Sequence, residues 1–325
     1  MRVSLQYLQE ISAETGFRPE ILEKEIQVLN LLEALQGHPY LKNRIALKGG
    51  TALNLFFFEI PRLSVDIDLN YIGAEDRETM LAEQTKADAA LQAVCAREGF
   101  SVRHLPDEHA GGKWQLRYYS AFGQSGSLEI DLNFMYRVPL WPVQEMDSRE
   151  IGIYQGKKIN VLDIHELAAG KLAALLSRGQ SRDLFDAHEL LTSGLLEKNL
   201  LRTSFVVYGG LNRKDWRTVS AKDLEFDPKE FSGRLIPLLR DPGSLALGHP
   251  VEYGQRLIEE CREALSMVLP LKENERRFLD VLLERGEINP ALITSDHELQ
   301  ERIKRHPALR WKALNVRKHF GIGNE

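Results

Sequence analysis

The chain has 325 residues, of which 43% are hydrophobic and 27% charged, and its formal net charge is −5 at pH 7. These values are ordinary for a soluble globular protein of one large or two moderate domains. The chain is not basic overall, so a nucleic-acid partner would have to bind a local basic patch. Cys95 and Cys261 are too few and too far apart for a disulfide framework or a zinc site, which predicts reduced thiols in the cytoplasm. The apolar runs are too short to span a bilayer, and Met1 does not begin a secretion signal, so no membrane association is expected.

Two predicted helices, over about 3–14 and 19–35, precede the stretch that carries the chemistry. From Leu47 to Leu53 the sequence predicts a strand, a turn at Gly49-Gly50 and a short helix. Such a turn lets a phosphate approach the backbone, and the start of the helix offers N–H groups to an anion. A common turn without any ligand is the alternative interpretation.

The next predicted strand, from Leu63 to Leu69, alternates strictly between apolar and polar residues. Ser64, Asp66 and Asp68 therefore share one face. Two carboxylates placed in this way repel each other unless a cation lies between them, and hard oxygen ligands on so few residues suit Mg²⁺ with a substrate phosphate. A solvated strand edge is the alternative for this pair.

Together these motifs resemble the nucleotidyltransferase core of the AbiEii family, the toxins of type IV toxin–antitoxin and abortive-infection systems within the DNA polymerase β-like superfamily. The resemblance rests on the strings Lys48-Gly49-Gly50-Thr51-Ala52-Leu53 and Arg62-x-Ser64-x-Asp66-x-Asp68-Leu69. It implies that Asp66 and Asp68 bind the metal of a Mg²⁺-NTP. It further implies that the triphosphate is held by residues of the two strings, namely Lys48, Gly49, Gly50, Thr51 and Ser64.

A third carboxylate is expected from a later strand of the same sheet, because polymerase β-like enzymes have one there. The sequence from Leu128 to Phe134 predicts a strand with Glu129, Asp131 and Asn133 on one face. By the resemblance Asp131 takes the metal-binding role, while Glu129 competes for it. An ordinary acid on the wet face of a strand is the structural alternative.

A predicted helix over 164–177 carries Lys171 in the middle of an apolar stripe. A lysine there either extends to solvent or clamps the triphosphate, and the family has a lysine in a similar helix. The next helix carries Asp183 and Asp186 on one face and resembles the R-D-x-x-D motif of the family. By that match Asp186 is the first choice for a functional acid and Asp183 the second. Arg178 and Arg182 could contact phosphate or pair with these acids.

Beyond 190 the pattern is helical, with helices expected near 198–206, 229–238, 251–268 and 273–284. The C-terminal stretch is rich in basic residues and also contains Trp311 and Phe320. Basic residues interleaved with aromatic ones suit an RNA backbone and its unpaired bases, but they suit a solvated helix end equally well.

These observations predict an α+β protein with a nucleotidyltransferase domain with a mixed sheet at 1–160 and a helical domain at 161–325. The resemblance implies a cytoplasmic toxin that transfers a nucleotide from Mg²⁺-NTP to RNA, with the tRNA 3′ end as the candidate acceptor, and that is restrained by a separately encoded antitoxin. Two other functions stay open: adenylylation of a protein, and nucleotide binding without transfer that acts through a partner.

Overall fold

The computed structural model describes residues 3–107, 111–240 and 248–322, with the side chains of residues 106 and 107 left aside. The chain divides into two compact units. The first lies within 1–137, 143–162 and 237–243, and the second within 138–142, 163–236 and 244–325. None of the helices in the described part of the chain is both long and apolar enough to cross a membrane.

In the first unit, seven strands among the described residues form one mixed sheet in the order β3-β4-β5-β2-β1-β7-β6. Strands β2 and β5 pair in parallel, as do β1 and β7, and the other pairs are antiparallel. The strands are β1 Ile45–Lys48, β2 Asp66–Tyr71, β3 Ser101–Asp107, β4 Gly111–Tyr119, β5 Ser125–Asn133, β6 Gln144–Met146 and β7 Ile159–Val161.

Helices α1 (Leu5–Thr15) and α2 (Pro19–Gln36) open this unit. Ser4 caps α1, and Gly16 ends it in the left-handed conformation. Helix α3 (Gly49–Ala52) follows β1 and continues as a π-helical turn over Leu53–Phe57, and α4 (Arg77–Arg97) lies between β2 and β3.

The sheet has one buried face and one open face. Along β4 and β5, buried residues such as Trp114 and Ile130 alternate with more exposed polar ones such as Gln115 and Glu129. Helix α2 contacts β5, β7 and α4, and its apolar side chains join the core. The polar face stays accessible, and it carries the predicted carboxylates.

Within the described residues of the second unit, the regular secondary structure is helical. Its longer helices are α5 Ile164–Arg178, α6 Ser181–Thr192, α7 Lys198–Leu211, α8 Pro250–Ala264, α9 Glu273–Asp280, α10 His297–Arg305 and α11 Pro307–Phe320. Where one helix is expected at 229–238, three short helical turns occupy 228–238 instead. The α+β fold class with a mixed sheet is confirmed.

Candidate active site

Three predicted carboxylates come together on the open face of the sheet. Asp68 of β2 and Asp131 of β5 are direct neighbours across the parallel pair, so their side chains project from the same face. Asp66 stands two residues before Asp68, at the exposed start of β2, and its neighbour across the pair is Glu129. The sheet therefore joins acids that are more than sixty residues apart in sequence.

The glycine turn lies directly against Asp68. Lys48, the last residue of β1, is the neighbour of Asp68 across the antiparallel pair. Gly49 follows with φ of 77°, and a Cβ atom added to it would lie 2.2 Å from Oδ2 of Asp68. Only glycine leaves room for the carboxylate there. Gly49 and Gly50 open α3, where the first N–H groups of a helix have no intrahelical acceptor.

Thr51 and Ser64 connect the turn to β2 through buried contacts. The Thr51 hydroxyl lies 2.9 Å from the carbonyl oxygen of Ser64 and 2.5 Å from that of Asp66, and it donates to them. Ser64 is buried and precedes β2, so the prediction that it belongs to the strand, on one face with the two aspartates, is wrong. These buried hydrogen bonds hold the backbone next to Asp66 in place. The predicted contact of Thr51 and Ser64 with phosphate stays a prediction.

Asp131 and Glu129 differ in their ion pairs. Lys113 Nζ lies 2.6 Å from Glu129 Oε1 and 3.7 Å from Asp131 Oδ2. Burial raises the pKa of Asp131, Lys48 and Lys113 oppose that rise, and the negative charges of Asp68 and Glu129 add to it. Two carboxylates that repel each other across neighbouring strands form a site that favours a cation.

The donor set fits Mg²⁺ bound together with a substrate. Within the described residues no group of three or more His, Cys, Asp or Glu side chains could hold a metal ion on its own. Magnesium, however, is usually bound by one or two carboxylates plus substrate phosphates rather than by an all-protein cage. Asp68 and Asp131, with Asp66 beside them, are such a set.

Comparison with known proteins shows the family of the chain. A family model for the nucleotidyl transferase AbiEii toxin of type IV toxin–antitoxin systems matches residues 31–268, more than two thirds of the chain. The chain belongs to this family. The AbiEii resemblance seen in the sequence is thus confirmed, the enzyme class is a nucleotidyltransferase toxin, and the family implies a nucleotide substrate and an antitoxin partner.

One solved structure supports the fold independently. The chain is similar to MenT4, a nucleotidyltransferase toxin from Mycobacterium tuberculosis H37Rv, with a TM-score of 0.62 and 18% sequence identity. The similarity covers 95% of this chain and 99% of that one. A search of curated protein sequences gives no significant match.

In the second unit of the AbiEii chain, the other predicted residues form a buried cluster of ion pairs. Lys171 Nζ on α5 lies 3.0 Å from Asp183 Oδ1 and 2.8 Å from Asp186 Oδ2, both on α6. The Lys171 side chain is only 13% exposed, so the interpretation that it extends to solvent is wrong. Arg178 Nε lies 2.8 Å from Asp183 Oδ2, so of its two predicted uses it makes the pairing with an acid.

The charges of this cluster compensate one another. Burial alone would raise the pKa of Asp183, but Lys171 and Arg178 together hold that pKa below its usual range. Asp183 is therefore a charged acid inside the unit, and Asp186 shares its lysine partner. The part of both acids in nucleotide binding stays a prediction.

The basic C-terminal stretch forms α10 and α11. Arg302 and Lys304 pair with Glu298 and Glu301 of the same helix, as on an ordinary solvated surface. Trp311 and Phe320 are more than half exposed, so their predicted use as stacking groups for RNA stays open.

Glu25 is a buried acid beneath the site that the sequence motifs did not indicate. Its side chain is fully buried in α2, and its Oε2 accepts a hydrogen bond of 3.0 Å from the Ser64 backbone N–H. Burial raises its pKa to about 8, although Ser64 and Arg62 oppose the rise. The sequence signal was available: Glu25 lies between Leu22 and Leu29 on the apolar stripe of its helix, much as Lys171 interrupts another stripe.

We expect Gly49→Ala to reduce nucleotide transfer about 10²-fold, because the new Cβ would displace the Asp68 carboxylate, and a displacement of about 1 Å can have an effect of this size. Gly123→Ala is the matched control. Gly123 has the same φ of 77°, but a Cβ there would meet nothing within 4 Å. Both variants carry the same backbone strain, so equal activity of the two would contradict the proposed contact.

We expect Glu25→Gln to flatten the dependence of stability on pH. The folded-state pKa is raised from 4.5 to about 8, so the folded state holds the proton more tightly than the unfolded chain does. The free energy of unfolding therefore falls as the pH rises from 4.5 towards 8, by roughly 3–5 kcal/mol for this group. Glutamine mimics the protonated form at every pH. Chemical denaturation at several pH values in this range measures the free energy of unfolding of both proteins. The same dependence of that free energy on pH in both would refute the prediction.

Proposed function

We propose that this protein transfers a nucleoside monophosphate from Mg²⁺-NTP to an RNA acceptor, the tRNA 3′ end, and thereby blocks translation and growth in the cytoplasm. The observation that carries the proposal is the contact between the glycine turn and the carboxylates. Gly49 packs against Asp68, and Asp68 is the neighbour of Asp131. A backbone suited to a phosphate thus adjoins acids suited to the cation that accompanies it.

The roles of the residues follow from this geometry. Asp66, Asp68 and Asp131 would hold Mg²⁺, which when bound supplies positive charge to the attacking and leaving oxygens. The turn at Gly49-Gly50, flanked by Lys48, binds the β- and γ-phosphates through its backbone. The acceptor hydroxyl oxygen bonds to the α-phosphorus while the bond to the pyrophosphate oxygen breaks, and the hydroxyl proton passes to the Asp131 carboxylate.

The roles proposed for Lys171 and Asp186 come from the sequence motifs that resemble those of the family. Lys171 would neutralise triphosphate charge, with Asp183 as a secondary nucleotide-binding acid, and Asp186 would orient Lys171. The distance of 2.8 Å between Lys171 Nζ and Asp186 Oδ2 supports this orienting role.

The acceptor is tested by incubating purified protein with total RNA, Mg²⁺ and each α-³²P-labelled NTP in turn. A labelled band of tRNA size that requires Mg²⁺ is the expected result, and it names the nucleotide at the same time. Label on protein instead of RNA would replace the proposal by protein adenylylation. NTP binding without label on any acceptor would replace it by a binding module that acts through a partner.

A further inference from the structure

A polar cavity opens on the accessible face of the sheet, next to the first carboxylate. It has a volume of about 350 Å³ and lies entirely in the first unit. Sites for small ligands usually measure roughly 300–1,000 Å³, so the cavity is large enough for one nucleotide unit. Its lining includes Lys24 of α2, Asp66 of β2, Gln115 and Arg117 of β4, and Ser127 and Glu129 of β5.

The cavity and the glycine turn lie on opposite sides of β2. Strand β1, which leads into Gly49, flanks β2 on one side, whereas β5 and then β4 flank it on the other. The turn is next to Asp68, and the cavity is next to Asp66 and Glu129. The carboxylate strand therefore separates the predicted triphosphate position from the cavity.

The proposed nucleotidyl transfer is an in-line displacement at phosphorus, and this reaction explains why the triphosphate position and the cavity would be separate. The attacking and leaving oxygens lie on opposite sides of the phosphorus atom in such a reaction. If the turn binds the departing pyrophosphate, the acceptor hydroxyl must approach the α-phosphorus from the side opposite the turn. The cavity lies on that side.

The charges in the lining also favour an acceptor with a phosphodiester backbone. Lys24 and Arg117 line the cavity together with Asp66 and Glu129, and Glu129 is already paired with Lys113. A lysine and an arginine in one cavity suit an anionic group, although the chain as a whole has a net charge of −5. Gln115 and Glu129, neighbours across β4 and β5, add side-chain amide and carboxylate groups that can bind the edge of a base.

We propose that this cavity is the acceptor subsite and holds the terminal nucleotide of a single-stranded RNA 3′ end, with Arg117 and Lys24 on its phosphodiester. The proposal rests on the proposed function and adds the residues that receive the acceptor. Arg117 and Lys24 would contact the acceptor and not the donor nucleotide.

The test compares Arg117→Gln with Arg103→Gln. Arg103 is exposed on β3 as the neighbour of Gln115, but it does not line the cavity, so its replacement removes the same charge from the same sheet. Binding of a short 5′-fluorescein-labelled single-stranded RNA is followed by anisotropy over a range of salt concentrations. The KM for NTP is measured separately at saturating RNA.

Arg117→Gln is expected to weaken RNA binding about tenfold and to reduce the salt slope by roughly 0.7, the value for one phosphate contact to a single strand. The KM for NTP stays within about twofold of wild type, because the donor lies across β2. Arg103→Gln leaves RNA binding close to that of wild type. Ser127→Phe, which fills the cavity without changing charge, also weakens RNA binding but not NTP binding.

Three results would overturn the subsite. A raised KM for NTP with unchanged RNA binding would make the cavity a donor site. Equal weakening by Arg117→Gln and Arg103→Gln would reduce the effect to general electrostatics. Unchanged RNA binding in both Arg117→Gln and Ser127→Phe would remove the cavity from recognition. Failure of the wild-type protein to label any RNA is a different outcome, since it overturns the proposed function itself.

Discussion

Asp66→Ala is expected to reduce nucleotide transfer by about 10³-fold or more and to abolish growth inhibition, while the protein stays folded. The carboxylate lies at the exposed start of β2, so its removal should change the free energy of unfolding by no more than about 0.5 kcal/mol. Its loss removes a charged ligand from the site where negative charge must be stabilised in the transition state.

Glu145→Ala is the control for this variant. Glu145 is an exposed acid on the edge strand β6, three strands away from β2, and its removal leaves transfer unchanged. Steady-state transfer rates and thermal unfolding are measured for both proteins. An Asp66→Ala protein that transfers nucleotides at the wild-type rate would remove Asp66 from the catalytic site.

Lys171→Ala is expected to lower the free energy of unfolding by about 3–5 kcal/mol. The Lys171 side chain is 13% exposed and contacts two carboxylates that are almost fully buried. Removal of one partner from a buried ion pair leaves uncompensated charge inside the protein, which has an effect of this size. Activity of this variant should therefore be measured at a temperature at which it remains folded.

Arg178→Ala provides the comparison for Lys171. Arg178 contacts the same Asp183, but its side chain is 56% exposed, so its loss should lower stability by at most about 1 kcal/mol. Replacing Asp186 by asparagine in the Lys171→Ala background should restore part of the lost stability, because it removes one uncompensated charge. Equal stability of Lys171→Ala and Arg178→Ala in chemical denaturation would contradict this account of the cluster.

The local elements were predictable because their signals lie close together in sequence. The helix that carries Lys171 was predicted at 164–177 and runs from Ile164 to Arg178. The apolar stripe around Lys171 also indicated that the lysine is not an ordinary surface residue. The stretch from Leu47 to Leu53 likewise predicted the strand and the short helix that the structure contains, and the predicted turn glycines are the first residues of that helix.

The start of β2 was predicted too early for a physical reason. Leu63 and Ser64 continue the alternating pattern, but their backbone N–H groups bond to the Leu238 carbonyl and to Glu25 instead of extending the ladder. These partners lie far away in sequence, so hydropathy alone could not reveal them. Ser64 is consequently buried rather than exposed beside Asp66.

The register of the strands could not be predicted from sequence patterns. The sequence indicated Asp131 through its family position, but its pairing with Asp68 depends on a parallel contact between β2 and β5. The ion pair between Lys113 and Glu129 has the same origin, since both residues are brought together by the register of β4 and β5. Long-range pairing depends on the whole sheet rather than on local propensity.

The position of the radioactive label tests the central claim most directly. The wild-type protein is incubated with total RNA and Mg²⁺, once with α-³²P-NTP and once with γ-³²P-NTP, and Asp66→Ala is treated in parallel. Nucleotidyl transfer predicts that the α label enters RNA, that the γ label appears only in pyrophosphate, and that Asp66→Ala gives neither. Entry of the γ label into RNA would mean phosphoryl transfer, and it would contradict the account.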